Sequence, residues 1–166
     1  MFLPNRKQIS GERHITASNR DNGHFFNCET NGDFTAELRV RAQYDELYDQ
    51  AGIMVRIDDA HWVKAGIEMS DGKALLSSVL TVGQSDWATG VYGHDPADFR
   101  MRATVAGGVL RLQVSADGLR WRLTRLSPFP RAASYAVGPM IALPSGPPES
   151  AVFRFSRWAA LEQGIT

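Results

Sequence analysis

Residues 50–69, QAGIMVRIDDAHWVKAGIEM, constrain this chain more than any other stretch. Ile53, Val55 and Ile57 alternate with Met54 and Arg56. Past the turn-forming Asp58-Asp59-Ala60-His61, Val63, Ala65 and Ile67 alternate with Trp62, Lys64 and Glu68. Strict period-two alternation on both sides of a turn predicts two half-buried strands of an antiparallel hairpin. Keeping every core residue on one face sets Ile57 opposite Val63, Val55 opposite Ala65 and Ile53 opposite Ile67, with an odd-length connection. That register puts Gly52 opposite Glu68 and Arg56 directly opposite Lys64. Opposed like charges destabilise a strand pair, so this pair calls for a negative partner: the chain's own Glu68 or Glu37, or a bound anion.

The flanking segments extend the pattern. Asp71-Gly72 is a two-residue hairpin turn. It pairs Ile67 with Leu76 and Ala65 with Ser78 on the core face, and Glu68 with Leu75 and Lys64 with Val79 on the other, so residues 51–82 read as a three-stranded meander. Residues 34–40 form an earlier strand with Phe34, Ala36, Leu38 and Val40 inward and Thr35, Glu37, Arg39 and Arg41 outward. Residues 42–50 are a polar connection, and residues 24–29 fit a short strand. Residues 99–125 form a second meander. Gly107-Gly108 pairs Val105 with Leu110, Ala103 with Leu112 and Met101 with Val114. Asp117-Gly118 pairs Val114 with Trp121 and Leu112 with Leu123, leaving Arg100, Arg102, Arg111, Gln113, Arg120 and Arg122 outward. Residues 83–98, rich in Gly, Asp and aromatics, read as a long loop, a type that often carries function. Residues 137–143 and 152–158 are the last strands. About ten short strands with Gly and Pro turns, and almost no helical periodicity, describe an all-β sandwich.

Composition removes several functions. Lys plus Arg and Asp plus Glu are both 18, so net charge gives no argument for nucleic acid or a membrane surface. The Arg-rich outward face of the second meander lacks the interleaved aromatics of a single-strand binder and reads as a solvated face. The lone Cys28 forbids an internal disulfide and a multi-cysteine metal site. The His and Cys spacings fit no zinc pattern, and neither a phosphate loop nor a Gly-x-Ser-x-Gly elbow is present. No apolar run is long enough to span a bilayer. The expectation is one cytoplasmic β-sandwich domain over residues 1–166, with no metal or cofactor and no nucleic-acid or membrane partner.

The stretches QAGIMVRIDDAHWVKAGIEM, LSSVLTVGQSDW and FRMRATVAGGVLRLQVSADGLRW, with RDNGHFF ahead of them, resemble the domain of unknown function 1349 family, to which regulation-of-enolase-like proteins belong. The resemblance covers about residues 20–158. It implies a fold similar to concanavalin A-like lectins and glucanases, a jelly-roll sandwich of two antiparallel sheets. Function carries over only by analogy.

On this basis the candidate ligand face comprises Arg56, Lys64 and Glu68, with Glu37 and Arg39 beside them. Trp87 stands at the rim, and His24 joins from the preceding strand. Mid-strand charges of both signs fit a polar ligand, and they also fit a solvated sheet face with weak ion pairs. Trp87 either stacks on a sugar ring or pins its loop. The reading is a non-enzymatic, lectin-like module that binds a carbohydrate or small acidic ligand on a concave sheet face. The alternative is a regulatory interaction domain acting on a metabolic enzyme. A glycoside hydrolase ranks third: it needs two carboxylates, Glu37 and Glu68 being the candidates, roughly 5–5.5 Å apart for retention or 6.5–9.5 Å for inversion. The Glu-x-Asp-x-x-Glu strand motif of the related glucanases is missing.

Overall fold

The computed structural model describes residues 7–9, 23–44, 46–142 and 153–162, with residues 7–9, 23–24 and 153–162 described as backbone only. Among these residues the chain forms the strands β1 (Lys7–Ile9), β2 (Gly23–Phe25), β3 (Cys28–Thr30), β4 (Phe34–Ala42), β5 (Gln50–Asp58), β6 (His61–Ser70), β7 (Lys73–Val82), β8 (Gln84–Val91), β9 (Asp98–Ala106), β10 (Val109–Ser115), β11 (Arg122–Pro128), β12 (Tyr135–Ala142) and β13 (Phe153–Glu162). One sheet, here sheet A, has the order β1-β13-β4-β9-β10-β11. The other, sheet B, has the order β2-β12-β5-β6-β7-β8, with β3 also on β12. Every pairing is antiparallel. The architecture is the jelly-roll sandwich expected from the strand pattern.

The alternating residues fill the space between the sheets. Phe34, Leu38, Phe99, Met101, Leu110 and Leu112 from sheet A meet Ile53, Val55, Val63 and Ile67 from sheet B, all essentially inaccessible to water. Each such side chain contributes about 1.5–3 kcal/mol by burial. Tyr135 caps this core at one end, with its ring 5.4 Å from Phe34 and 6.3 Å from Phe129. Its hydroxyl donates to the Pro130 carbonyl and accepts from the Ala132 amide.

The pairing of β6 with β7 follows the Asp71-Gly72 turn residue for residue, including Ile67 with Leu76 and Lys64 with Val79. Asp71 and Gly72 both take positive φ, 51° and 71°, as a type I′ turn requires. The β9–β10 pairs fall where Gly107-Gly108 places them.

Four local expectations need correction. In the β5–β6 hairpin, Val55 pairs with Val63, Ile53 with Ala65 and Ala51 with Ile67, two residues from the expected register. A bulge between Arg56 and Asp58 absorbs the parity, so a two-residue turn suffices and the core face is kept. Arg56 therefore faces Trp62, not Lys64, and Gly52 faces Gly66, not Glu68. Second, residues 84–91 are an edge strand on β7 rather than a loop. Third, the β10–β11 register slips between Leu112 and Gln113, so Leu112 pairs with Arg125 and Val114 with Arg122. Leu123, expected inward, is 53% exposed. Fourth, residues 24–29 split into β2 and β3, both on β12.

Candidate functional site

The expected site residues divide between the two outward faces of the sandwich. Glu37 and Arg39 project from β4 on sheet A, where each is neutralised within the protein. Glu37 accepts from Arg102 Nη2 at 2.8 Å and Nε at 3.2 Å, and the Arg102 guanidinium lies 3.8 Å over the Trp121 ring. Arg39 forms a two-pronged pair with Asp98, which also accepts from Arg41 at 3.4 Å. The Arg39 hydrogen bond holds the Asp98 carboxyl below the ordinary aspartate value. Lys64 and Glu68 project from sheet B. Two sheets stack about 10 Å apart before outward side chains are counted, so Glu37 and Glu68 cannot flank one glycosidic bond. The carboxylate pair considered for a hydrolase is absent.

Arg56 and Trp87 share the sheet B face with Lys64 and Glu68, but Arg56 turns to the hairpin tip. Its guanidinium pairs with Asp59, and its Nε donates to the Asp58 carbonyl at 3.4 Å. His61 lies 2.8 Å from Asp58 there, and that contact lowers the Asp58 carboxyl. His24 pairs with Ile141 through its backbone, and its side chain lies outside the described residues.

The centre of the face is a rung that carries two glycines. Met140 on β12, Gly52 on β5, Gly66 on β6 and Ser77 on β7 are successive cross-strand neighbours. A Cβ at Gly52 would stand 1.9 Å from the Ala65 carbonyl oxygen, and one at Gly66 would stand 2.0 Å from that of Ala51. Only glycine permits this approach. Beside this contact lies a slot of about 10 Å3, one water in size, lined by Gln50, Lys64, Ala65, Gly66, Ser77 and Met140.

Polar groups border the slot. Lys64 Nζ donates to Gln50 Oε1 at 3.0 Å across the glycine rung. Burial lowers the Lys64 ammonium from its ordinary value, and the field of Glu68 partly restores it. Glu68 is only 6% exposed, and its Oε2 is buried without a hydrogen-bond donor among the described residues. No ion pair joins it to Lys64 within 4.0 Å among the described residues. Trp87 on β8 is 58% exposed and is oriented by its Nε1 donating to Ser77 Oγ at 2.9 Å. The face thus offers an aromatic plane and an under-solvated ammonium beside the glycine rung, with the Glu68 carboxylate buried next to them. Gln50, Ser77 and the two glycines were not anticipated. The signal was the repeated tripeptide Ala-Gly-Ile at 51–53 and 65–67, which places two glycines in one hairpin.

Among the described residues, no group of three or more His, Cys, Asp or Glu stands together as a metal site, and no helix is long and apolar enough to cross a membrane.

Fold and face together define a jelly-roll β-sandwich with a polar outer sheet. Residues 12–162 match the family described as Protein of unknown function (DUF1349), and the chain belongs to that family. Over 125 residues it is 62% identical to Regulation of enolase protein 1 of Saccharomyces cerevisiae, covering 75% of this chain and 63% of that relative. The chain thus spans somewhat under two thirds of that protein's length. The crystal structure of a functionally unknown protein from Saccharomyces cerevisiae superposes with a TM-score of 0.79 at 55% identity, covering 89% of this chain and 79% of that one. The carbohydrate-binding module CBM66 from Bacillus subtilis superposes with a TM-score of 0.59 at 12% identity, over 96% and 97% of the two chains. That last likeness is one of fold.

Proposed function

We propose that the chain is a binding module whose sheet B outer face takes a carbohydrate or small acidic ligand at the glycine rung between Lys64, Glu68 and Trp87. The observation that carries this reading is the buried Glu68 Oε2 without a donor, on the same face as an under-solvated Lys64. Buried polar groups are costly unless paired, and a ligand hydroxyl or ammonium whose binding opens the Glu68 oxygen would supply the donor that it lacks. Lys64 would bind a ligand hydroxyl or carboxylate, and Trp87 would stack on the apolar side of a ring. The fold shared with CBM66 agrees with this use of a sandwich face.

The test is nitrogen-15 NMR titration with a panel of neutral sugars and uronic acids. The expected result is perturbation of the Gly52 and Gly66 amides and the Trp87 indole, abolished by Trp87→Ala and by Lys64→Met. A panel that leaves those signals unmoved, or binding that survives both substitutions, refutes the site.

A second reading, a regulatory domain acting on a metabolic enzyme, is favoured by the name of the 62% identical yeast relative. Specific retention of enolase by the immobilised chain, lost on addition of excess free chain, would support it. Absence of retention at micromolar concentrations of both proteins would remove it.

A further inference from the structure

The edge strands β8 and β11 of the two sheets are bridged at Arg125 and border a cleft at the other end. Arg125 on β11 pairs with Asp86 on β8 and donates to Ser78 Oγ on β7 at 3.1 Å. Toward the other end of these strands, the β8–β9 and β10–β11 connections border a cleft of about 310 Å3. That lies at the lower end of the range for small-molecule sites, about 300–1,000 Å3. Tyr92, His94, Ser115, Arg120, Trp121 and Arg122 line it.

Three observations give the cleft a chemical character. Arg120 and Arg122 have no carboxylate within 4.0 Å among the described residues, whereas Arg39, Arg41, Arg56, Arg102 and Arg125 each have one. The acids nearby are already engaged. Asp117 accepts from Ser115 Oγ and from the Leu119 and Arg120 amides, Asp98 is held by Arg39 and Arg41, and Asp95 accepts from the Ala97 amide. Finally, Tyr92 is 6% exposed and its hydroxyl is buried without a hydrogen-bond partner among the described residues. Its ring is fixed edge-on to His94 at 5.6 Å and to Phe99 at 6.0 Å. Two uncompensated guanidinium groups and an unused phenolic donor around one cavity suit an anion.

We propose that this cleft is a second site, separate from the sheet B face, which binds the phosphate or carboxylate group of a small polar metabolite. Arg120 and Arg122 supply charge-assisted hydrogen bonds to the anionic oxygens, and the Tyr92 hydroxyl donates a further one. Trp121, braced by the Arg102 guanidinium on its ring, forms a fixed wall.

The test is NMR and calorimetric titration of the full chain with glucose 6-phosphate, glucuronate, inorganic phosphate and glucose. Amides at 92–97 and 115–122 move with at least one of the two anionic sugars and not with glucose. Paired substitution of Arg120→Gln and Arg122→Gln weakens that binding by about tenfold or more, as loss of charge-assisted bonds requires. Tyr92→Phe weakens it severalfold without changing the melting temperature, and Lys64→Met leaves it unchanged. A response to glucose 6-phosphate and inorganic phosphate assigns a phosphate site, and one to glucuronate alone assigns a carboxylate site. No response to any anion, equal response to glucose, or affinity that survives the paired arginine substitution overturns the proposal.

Discussion

The close approach of β5 and β6 predicts that Gly52→Ala is far more damaging than an exposed-strand glycine substitution should be. The added Cβ would stand 1.9 Å from the Ala65 carbonyl oxygen and 2.6 Å from the Gly66 Cα. Carbon and oxygen normally approach no closer than about 3.3 Å. The strands must therefore separate or slide by roughly 1.4 Å at this rung, the difference from that limit. Such a shift stretches the two nearest ladder hydrogen bonds beyond useful length, at about 1 kcal/mol each. Overpacking adds about 1–3 kcal/mol. Replacing a strand glycine returns about 0.5–1 kcal/mol of backbone entropy. The net loss is about 3 kcal/mol, or roughly 6–12 °C in melting temperature for a chain of this size. Urea unfolding should show a lower midpoint with an unchanged slope.

Gly90→Ala is the control, because nothing lies within 4 Å of a Cβ there; it should be neutral or stabilise by up to about 1 kcal/mol. Gly66→Ala meets the Ala51 carbonyl at 2.0 Å and should resemble Gly52→Ala. One separation of the strands relieves both clashes, so the double variant should cost clearly less than the sum. A Gly52→Ala variant within 1 kcal/mol of the parent, or one no worse than Gly90→Ala, would show that the rung yields easily and that its glycines need another explanation.

Three further outcomes follow from the charges. Lys64→Met should leave stability equal or slightly higher, since it removes a desolvated ammonium whose protein partner is Gln50. The folded-state value of Lys64 is depressed, so the unfolded chain binds more protons between that value and 10.5. Stability should rise with pH across that window, and Lys64→Met should flatten the rise in pH-dependent urea midpoints. Asp98→Asn should destabilise at neutral pH. The Asp98 value is lowered in the fold, so its contribution is complete above 3.8 and is lost as pH falls through the folded value, where parent and variant should converge. Asp117 is held down to about 2, chiefly by the Arg120 and Leu119 amides. Carboxyl NMR should find its midpoint near that value, and Asp117→Ala should shift the 115–122 amides; a midpoint near 3.8 would refute the loop geometry.

Which parts of this fold were legible depended on where the information resided. Two-residue turns such as Asp71-Gly72 and Gly107-Gly108 fix register by backbone geometry alone, and the pairs they dictate are present. Asp117-Gly118 looked the same but is not, because the Asp117 side chain caps two following amides and lengthens the loop. That change depends on a side chain choosing the local backbone over solvent, and alternation does not encode it. The bulge at Ile57 was hidden for a related reason: it preserves the inward phase of every core residue while moving every cross-strand partner by two. Residues 84–91 lack an apolar stripe because an edge strand needs only backbone pairing with β7, and all eight are exposed. Finally, phase separates inward from outward but does not assign a sheet. Glu37 and Glu68 were both correctly read as outward-facing, and only the strand order separates them.

That separation gives the two faces different characters. Sheet A carries acids and bases that satisfy one another: Glu37 with Arg102, and Asp98 with Arg39 and Arg41. Part-exposed pairs of this kind contribute little, about 0–1 kcal/mol each, but they neutralise the charges of β4 that were expected to hold a ligand. On sheet B the corrected register removes the opposed Arg56–Lys64 pair, so charge repulsion no longer argues for a ligand. What argues for one is the pattern left behind. Arg56 finds Asp59 at the hairpin tip, while Lys64 and Glu68 stay on opposite sides of a bare glycine rung, each underused. A direct Lys64–Glu68 ion pair would satisfy both groups, and none is made within 4.0 Å among the described residues. Holding the two groups apart beside a close approach that only glycine permits costs stability, and the polar-ligand binding proposed for this face would give that cost a function.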